Sequence, residues 1–281
     1  MKVAVYSTKD GKEIEKIELA EFFSEKINPY LIARAVISDQ TKKFQPKGNY
    51  IYAGLETSAK YRGRKEDFGS LKNRGGAKLP REVMPKGTHG KVRRIPSSVK
   101  GRRAHPPKVE KKIVEKINKK EYIKALQSAL AACANIEYVL KRGHKIDQKM
   151  QLPIILDLES SPNKTSQLIK LLTQLGLEKD LNRSKKPKKI SGIQRRTKSK
   201  KYPKTFLLIV KDKNSPLARA ARNIAGATLR SASEVEVQDL APGTQPGRLL
   251  IITKDGLTEI EKRILQTTKD VENENKKEIK K

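Results

Sequence analysis

Apolar positions along the chain fall into ordered patterns at both ends of the sequence, with a long stretch between them that has none. VAVYST and EIEKIEL alternate around Asp10-Gly11, which predicts a β-hairpin from Val3 to Leu19. Asn28-Pro29 then reads as an N-cap and first helical residue, with Leu31, Ile32, Ala35 and Val36 on the buried face. From Val109 to Arg142, apolar residues recur at Val109, Ile113, Ile117, Ile123, Leu126, Leu130, Cys133, Ile136 and Leu140. These spacings describe one face of a long helix, continuous or broken near Asn118–Lys120, with Gly143 as its stop.

The second half carries a weak repeat. LPIILDLESSP leads into NKTSQLIKLLTQLG, FLLIVKDKNSP leads into LARAARNIAG, and LLIITKDGLTEIEKRI is a looser third copy. Each begins with an apolar run of the kind found in strands buried on both faces. In the first two, Ser161-Pro162 and Ser215-Pro216 open the helix and a glycine closes it. VEVQDL adds one more short strand. Strands alternating with helices predict an α/β fold, a single globular domain with a mostly parallel sheet and flanking helices. Residues 1–44 and 109–267 would form this body, and the charged tail 268–281 is expected to be disordered.

Residues 45–108 are read as an extended basic arm inserted into the body. Its main part, Lys60 to Lys108, shows neither helical nor strand periodicity. It holds 7 Gly, 5 Pro and 16 basic residues against 3 acidic ones. A loop of this length inside a domain is either disordered or functional. Fully extended, out and back, it would reach at most roughly 80 Å.

Charge sharpens the division. The chain has a net charge of +32; Lys60–Lys108 supplies +13, and 182–204, with 11 basic residues and no acid, supplies +11. The other 209 residues carry only +8, an ordinary balance. Two cationic segments on a balanced body point to nucleic acid. The Lys60–Lys108 stretch has only Tyr61 and Phe68 as aromatics, so phosphate-led recognition of folded RNA is favoured over stacking along a single strand.

Little in the chain suggests catalysis. No Gly-rich phosphate or dinucleotide loop follows a strand. Asp157 and Asp212 sit near strand ends but read as turn-formers. His89, His105 and His144 are scattered, His144 reading as an exposed helix-terminal residue, and the single Cys133 lies on an apolar helix face as a small hydrophobe. No cofactor and no metal site are expected. No apolar stretch approaches the ~20 residues of a membrane span, and the N-terminus does not resemble a signal peptide, so a cytoplasmic protein without membrane contact is the expectation.

The run KLPREVMPKGTHGKVRRIPSSVKGRRAHPPK resembles the extended loop of the universal large-subunit ribosomal protein L-four family, in its archaeal and eukaryotic form. GRRAHPPK, Gly101 to Lys108, is the most specific part. NSPLARAARNIAG and VEVQDLAPGTQPGRLLIITKDGL are similar to the family's C-terminal segment. The resemblance implies a non-enzymatic structural constituent of the large subunit that binds and helps fold 23S-type rRNA. It implies neighbouring large-subunit proteins as partners, including one at a constriction of the peptide exit tunnel that the loop lines, and a nascent peptide in passing. The loop tip would lie within Lys72–Ile95, with Gly101–Lys108 in the returning limb.

On this reading Arg62, Arg64, Arg74, Arg81, Arg93, Arg94, Arg102 and Arg103 contact phosphates or stack on bases, using a planar fork that lysine lacks. Lys86, Lys91, Lys100, Lys108, His89 and His105 add polar contacts, and Gly75, Gly76, Gly87 and Gly90 allow close backbone approach or positive φ. In the second segment Lys185, Lys186, Lys188, Lys189, Arg195 and Arg196 form a surface contact. The alternative reading is an RNA-modifying enzyme of methyltransferase type with a basic insert, against which the missing Gly-rich turn argues.

Overall fold

The computed structural model describes the backbone of residues 1–66, 68–157, 162–197 and 200–279, and the side chains of these apart from Gln194 and 268–279. By internal packing the chain separates into a body, Met1–Lys43 with Val114–Lys281, and an inserted unit, Phe44–Ile113. The body opens with β1 (Lys2–Ser7), β2 (Glu13–Glu18) and α1 (Pro29–Thr41). The inserted unit contributes β3 (Arg81–Val83) and β4 (His89–Val92). The body resumes with α2 (Lys119–Ala134), α3 (Ile136–Lys141), β5 (Ile154–Asp157), α4 (Thr165–Gln174) and α5 (Glu178–Lys185). It ends with β6 (Leu207–Val210), α6 (Pro216–Ala221), β7 (Thr228–Ser231), α7 (Val237–Leu240), β8 (Leu250–Thr253) and α8 (Lys254–Ile279).

The body's sheet has the order β2-β1-β5-β8-β6-β7, antiparallel between β1 and β2 and parallel elsewhere. Its central strands are continuous apolar runs because both faces are covered. Ile155, Leu207, Ile209, Leu250 and Ile252 pack with α1, α2 and α8 on one side, and Ile154, Leu156, Leu208, Val210 and Ile251 with α4, α5 and α6 on the other. Each such side chain gains about 1.5–3 kcal/mol from burial. The edge strand β2 carries Glu13, Glu15, Lys16 and Glu18 exposed, which discourages pairing with another chain. The expected α/β fold with a mostly parallel sheet and flanking helices is the one found.

Local signals succeeded where a side chain met its backbone partner. Asn28 accepts from Leu31 N–H at 3.3 Å and Ser215 from Ala218 N–H at 3.3 Å, each followed by proline at the first helical position. Gly143 takes the left-handed conformation, φ +98°, after α3. Cys133 is fully buried on α2, and burial raises its thiol pKa to about 11.

Several expectations are corrected. Residues 109–118 are not helical, because the Glu115 backbone is engaged by α1: Ser38 Oγ donates to its carbonyl at 2.7 Å, and its N–H donates to Thr41 Oγ1 at 3.1 Å. VEVQDL is not a strand. Its last four residues form α7, whose start is fixed by Glu236 N–H donating to Asp239 Oδ2 at 3.4 Å; the sixth strand is β7 instead. Helix α4 begins at Thr165 rather than Pro162, where Gln167 Oε1 reaches back to Lys164 N–H at 3.4 Å; Ser161 lies outside the described residues. The hairpin loop is longer than a two-residue turn, closed by Ser7 N–H to Lys12 O at 2.9 Å. The backbone of the tail expected to be disordered continues α8 to Ile279, in keeping with the helix propensity of its Lys and Glu.

Candidate nucleic-acid interface

The inserted unit is built from backbone contacts that its glycines permit, with little apolar core. Strands β3 and β4 pair antiparallel, Arg81 opposite Val92 and Val83 opposite His89. Lys60 adds a bridge on the other side of β3, its N–H donating to Arg81 O at 3.1 Å and its carbonyl accepting from Arg81 N–H at 3.3 Å. Gly101 opens GRRAHPPK for a steric reason: a Cβ there would stand 1.9 Å from Ile95 O. At Gly87, φ +70°, an added Cβ would meet the Phe68 ring at 3.0 Å. Lys86 and Arg94 also take positive φ, at +59° and +70°, as do Asn73 and Lys100. Among the described residues only Thr244 shares this feature outside the unit, so backbone strain concentrates among the cationic residues.

The predicted RNA-contacting residues divide into two groups. Arg64, Arg74, Lys86, Lys91, Arg94, Lys100, Arg102, Arg103, His105 and Lys108 are exposed, as is Gly75. Arg62, Arg81, His89, Arg93, Gly76 and Gly87 are half-buried, and the side chains of Arg62 and Arg93 bond within the unit itself. Arg93 Nε pairs with Glu82 Oε1 at 2.8 Å while Arg93 Nη1 donates to Val99 O at 2.6 Å, and Arg62 Nη1 donates to Phe68 O at 2.7 Å. Exposed Arg94 does both, its Nη1 donating to Ala59 O at 3.3 Å. Arginines that looked equivalent in the sequence therefore have different tasks.

The second cationic segment belongs to the body. Lys185, Lys186, Lys188, Lys189, Arg195 and Arg196 are all exposed. The segment doubles back, Lys188 N–H donating to Lys201 O at 2.7 Å, and its ends are joined by Arg183 Nη2 donating to Lys204 O at 2.8 Å. Arg183 is held in turn by the buried Asp180, Nε to Oδ1 at 2.8 Å, which also accepts from Lys145 N–H at 3.1 Å. His144 completes the cluster. Its Nε2 accepts from Leu249 N–H at 3.4 Å, which leaves the proton on Nδ1 to be donated to Asp180 Oδ2 at 3.2 Å.

His144 is thus buried, against the expectation of an exposed helix terminus. Burial lowers its pKa below the ordinary 6.5, more than Asp180 raises it. Burial works to raise the Asp180 pKa, but hydrogen bonds from His144 and Arg183 outweigh it and hold the carboxyl low. The histidine offered no sequence signal, since its partner lies 36 residues away.

Arg248 was also missed. It is 1 % exposed and donates to Thr205 O (3.0 Å), Phe206 O (3.1 Å), Asp239 O (2.9 Å), Gly226 O (3.4 Å) and Thr228 Oγ1 (2.7 Å). It stitches β6, β7 and the lead into β8, and burial lowers its pKa to about 10. The preceding Gly247, φ +89°, leaves no room for a Cβ, which would stand 2.5 Å from the Tyr138 carbonyl. Among the described residues no group of three His, Cys, Asp or Glu is placed to hold a metal, and no helix is long and apolar enough to cross a membrane.

A family model described as "Ribosomal protein L4/L1 family" matches residues 17–263, spanning both units. A relative named "Large ribosomal subunit protein uL4" from Methanococcus maripaludis is 41% identical over 266 residues, 94% of this chain and 100% of that protein. Another of that name from Haloquadratum walsbyi is 39% identical over 257 residues, 90% of this chain and 97% of that protein. The agreement covers the apolar runs of the body as well as the cationic insertion, and the chain belongs to the ribosomal protein L4/L1 family.

Proposed function

We propose that the protein is a structural, non-catalytic constituent of the large ribosomal subunit, in the cytoplasm, that binds and helps fold 23S-type rRNA. The observation that carries this reading is the set of exposed arginines and lysines of the inserted unit, from Arg64 to Lys108, standing on backbone held open by glycine. Each phosphate neutralised by such a residue releases condensed counterions, and Arg adds a planar two-pronged contact. The segment 182–204 supplies a second rRNA contact, its loop held closed by Arg183. The inserted unit lines the peptide exit tunnel beside a neighbouring ribosomal protein and meets the nascent peptide in passing. Sedimentation of cell extract through a gradient at elevated salt tests the reading. Co-migration with large subunits is the expected result; a free pool of the protein would contradict it.

A further inference from the structure

The inserted unit begins at Phe44 and carries Tyr50 and Tyr52 ahead of the Lys60–Lys108 stretch, whose aromatics are Tyr61 and Phe68. Tyr50, Ile51 and Tyr52 are 59 %, 83 % and 57 % exposed, side by side. Three large apolar side chains held out to water at one turn call for a partner.

The turn is rigid. Ala53 N–H donates to Tyr50 O at 3.1 Å and Leu55 N–H to Tyr52 O at 2.8 Å. The two rings sit edge to face, 5.8 Å apart at 66°, and the Tyr50 hydroxyl donates to the Glu56 carboxylate. That bond holds the Tyr50 ring by its hydroxyl while more than half of the residue's surface stays exposed. It also engages the only acid between Phe44 and Lys65.

The turn is also fixed against the returning limb. Gly54, φ +79°, lies so close to Gly101 and Arg102 that an added Cβ would be 2.6 Å from Gly101 O and Arg102 N. The exposed Arg102 and Arg103 leave the backbone at that crossing. Aromatic faces and guanidinium groups thus emerge from adjoining backbone. A protein partner would favour an apolar patch depleted of charge. Unpaired nucleotides satisfy both elements, since every base has a face that stacks and every nucleotide a phosphate.

We infer that the Tyr50–Tyr52 turn is a stacking platform for unpaired bases of the bound RNA, with Arg102 and Arg103 taking the adjacent phosphates. This rests on the RNA-binding reading above.

The test compares a transcript of large-subunit rRNA with inorganic polyphosphate, a polyanion without bases, on the full-length protein. Tyr50→Leu and Tyr52→Leu should each weaken rRNA binding about tenfold, with unchanged salt dependence and unchanged polyphosphate binding. Tyr52→Phe, which keeps the ring, should bind rRNA as the original does. Arg102→Gln should weaken both ligands and reduce the salt slope by about one. The chain has no tryptophan, so Tyr52→Trp supplies a unique indole, excited apart from the tyrosines, that rRNA should quench and polyphosphate should not.

Leucine variants that bind rRNA normally, or lose both ligands equally, overturn the inference while leaving RNA binding intact. Indole emission from the Tyr52→Trp variant that responds only to added subunit proteins overturns it in favour of a protein contact. Failure of the unmodified protein to bind rRNA removes both readings together.

Discussion

Arg248 in the body and Arg102 in the inserted unit carry the same guanidinium to opposite ends. The first is sealed among four carbonyls and a hydroxyl and joins strands; the second stands exposed beside the close approach of Gly54 to Gly101. The same contrast runs through both regions. In the body, buried carboxylates meet partners, Asp39 with Tyr122 Oη at 3.0 Å and Asp180 with His144 and Arg183. In the inserted unit polar groups spend backbone hydrogen bonds on a small hairpin and leave most cations to the solvent. On the proposed function, the body should be stable by itself and the inserted unit should have its charge neutralised by RNA.

The largest effect should come from separating the two. Replacing Tyr61–Ala104 by a short linker should leave a cooperative melt, followed by circular dichroism, while rRNA affinity at fixed salt falls roughly a thousandfold. Loss of cooperative melting would show that the body depends on the insertion. Next, Arg248→Met should destabilise the body by about 3–5 kcal/mol in chemical denaturation, because it strands several buried carbonyls. The salt slope of RNA binding should not change in that variant.

His144 gives the next effect, with a pH signature. Because its folded pKa lies below 6.5, the unfolded chain binds more protons as pH falls through that value, and stability declines. Asp180, held low in the fold, adds a further loss in the same direction when it is finally protonated. His144→Ala should cost about 2–3 kcal/mol at pH 7, since it removes a partner of buried Asp180. It should also flatten the decline just below pH 6.5, read by denaturation at several pH values. The smallest effect belongs to Gly101→Ala. The added methyl collides with Ile95 O, so RNA affinity should fall about tenfold while the main melting transition stays in place.

The body was legible where one residue type does one job. Continuous apolar runs gave β5, β6 and β8 because both sheet faces are covered, and Ser215-Pro216 gave a helix start because cap and ring act within one turn. Reading failed where the deciding partner is distant in sequence. Glu115 keeps an apolar-periodic stretch out of helix by bonding to Ser38 and Thr41, and His144 is buried because Asp180 meets it. The alternation in VEVQDL misled for the opposite reason, since a local bond from Glu236 to Asp239 overrode it. In the interface, charge located the cations but could not divide them. Arg93 and Arg102 differ by Glu82 and Val99, which only the folded backbone brings to Arg93.

The central claim is that the inserted unit, and not the body, supplies most of the electrostatic contact with RNA. The salt dependence of rRNA binding, measured for the intact protein and for the variant lacking Tyr61–Ala104, tests it most directly. That stretch holds 14 basic residues, and each phosphate contact contributes roughly −0.7 to −0.9 to the slope of log affinity against log salt. The intact protein should have a slope steeper by about five or more. Equal slopes would contradict the account.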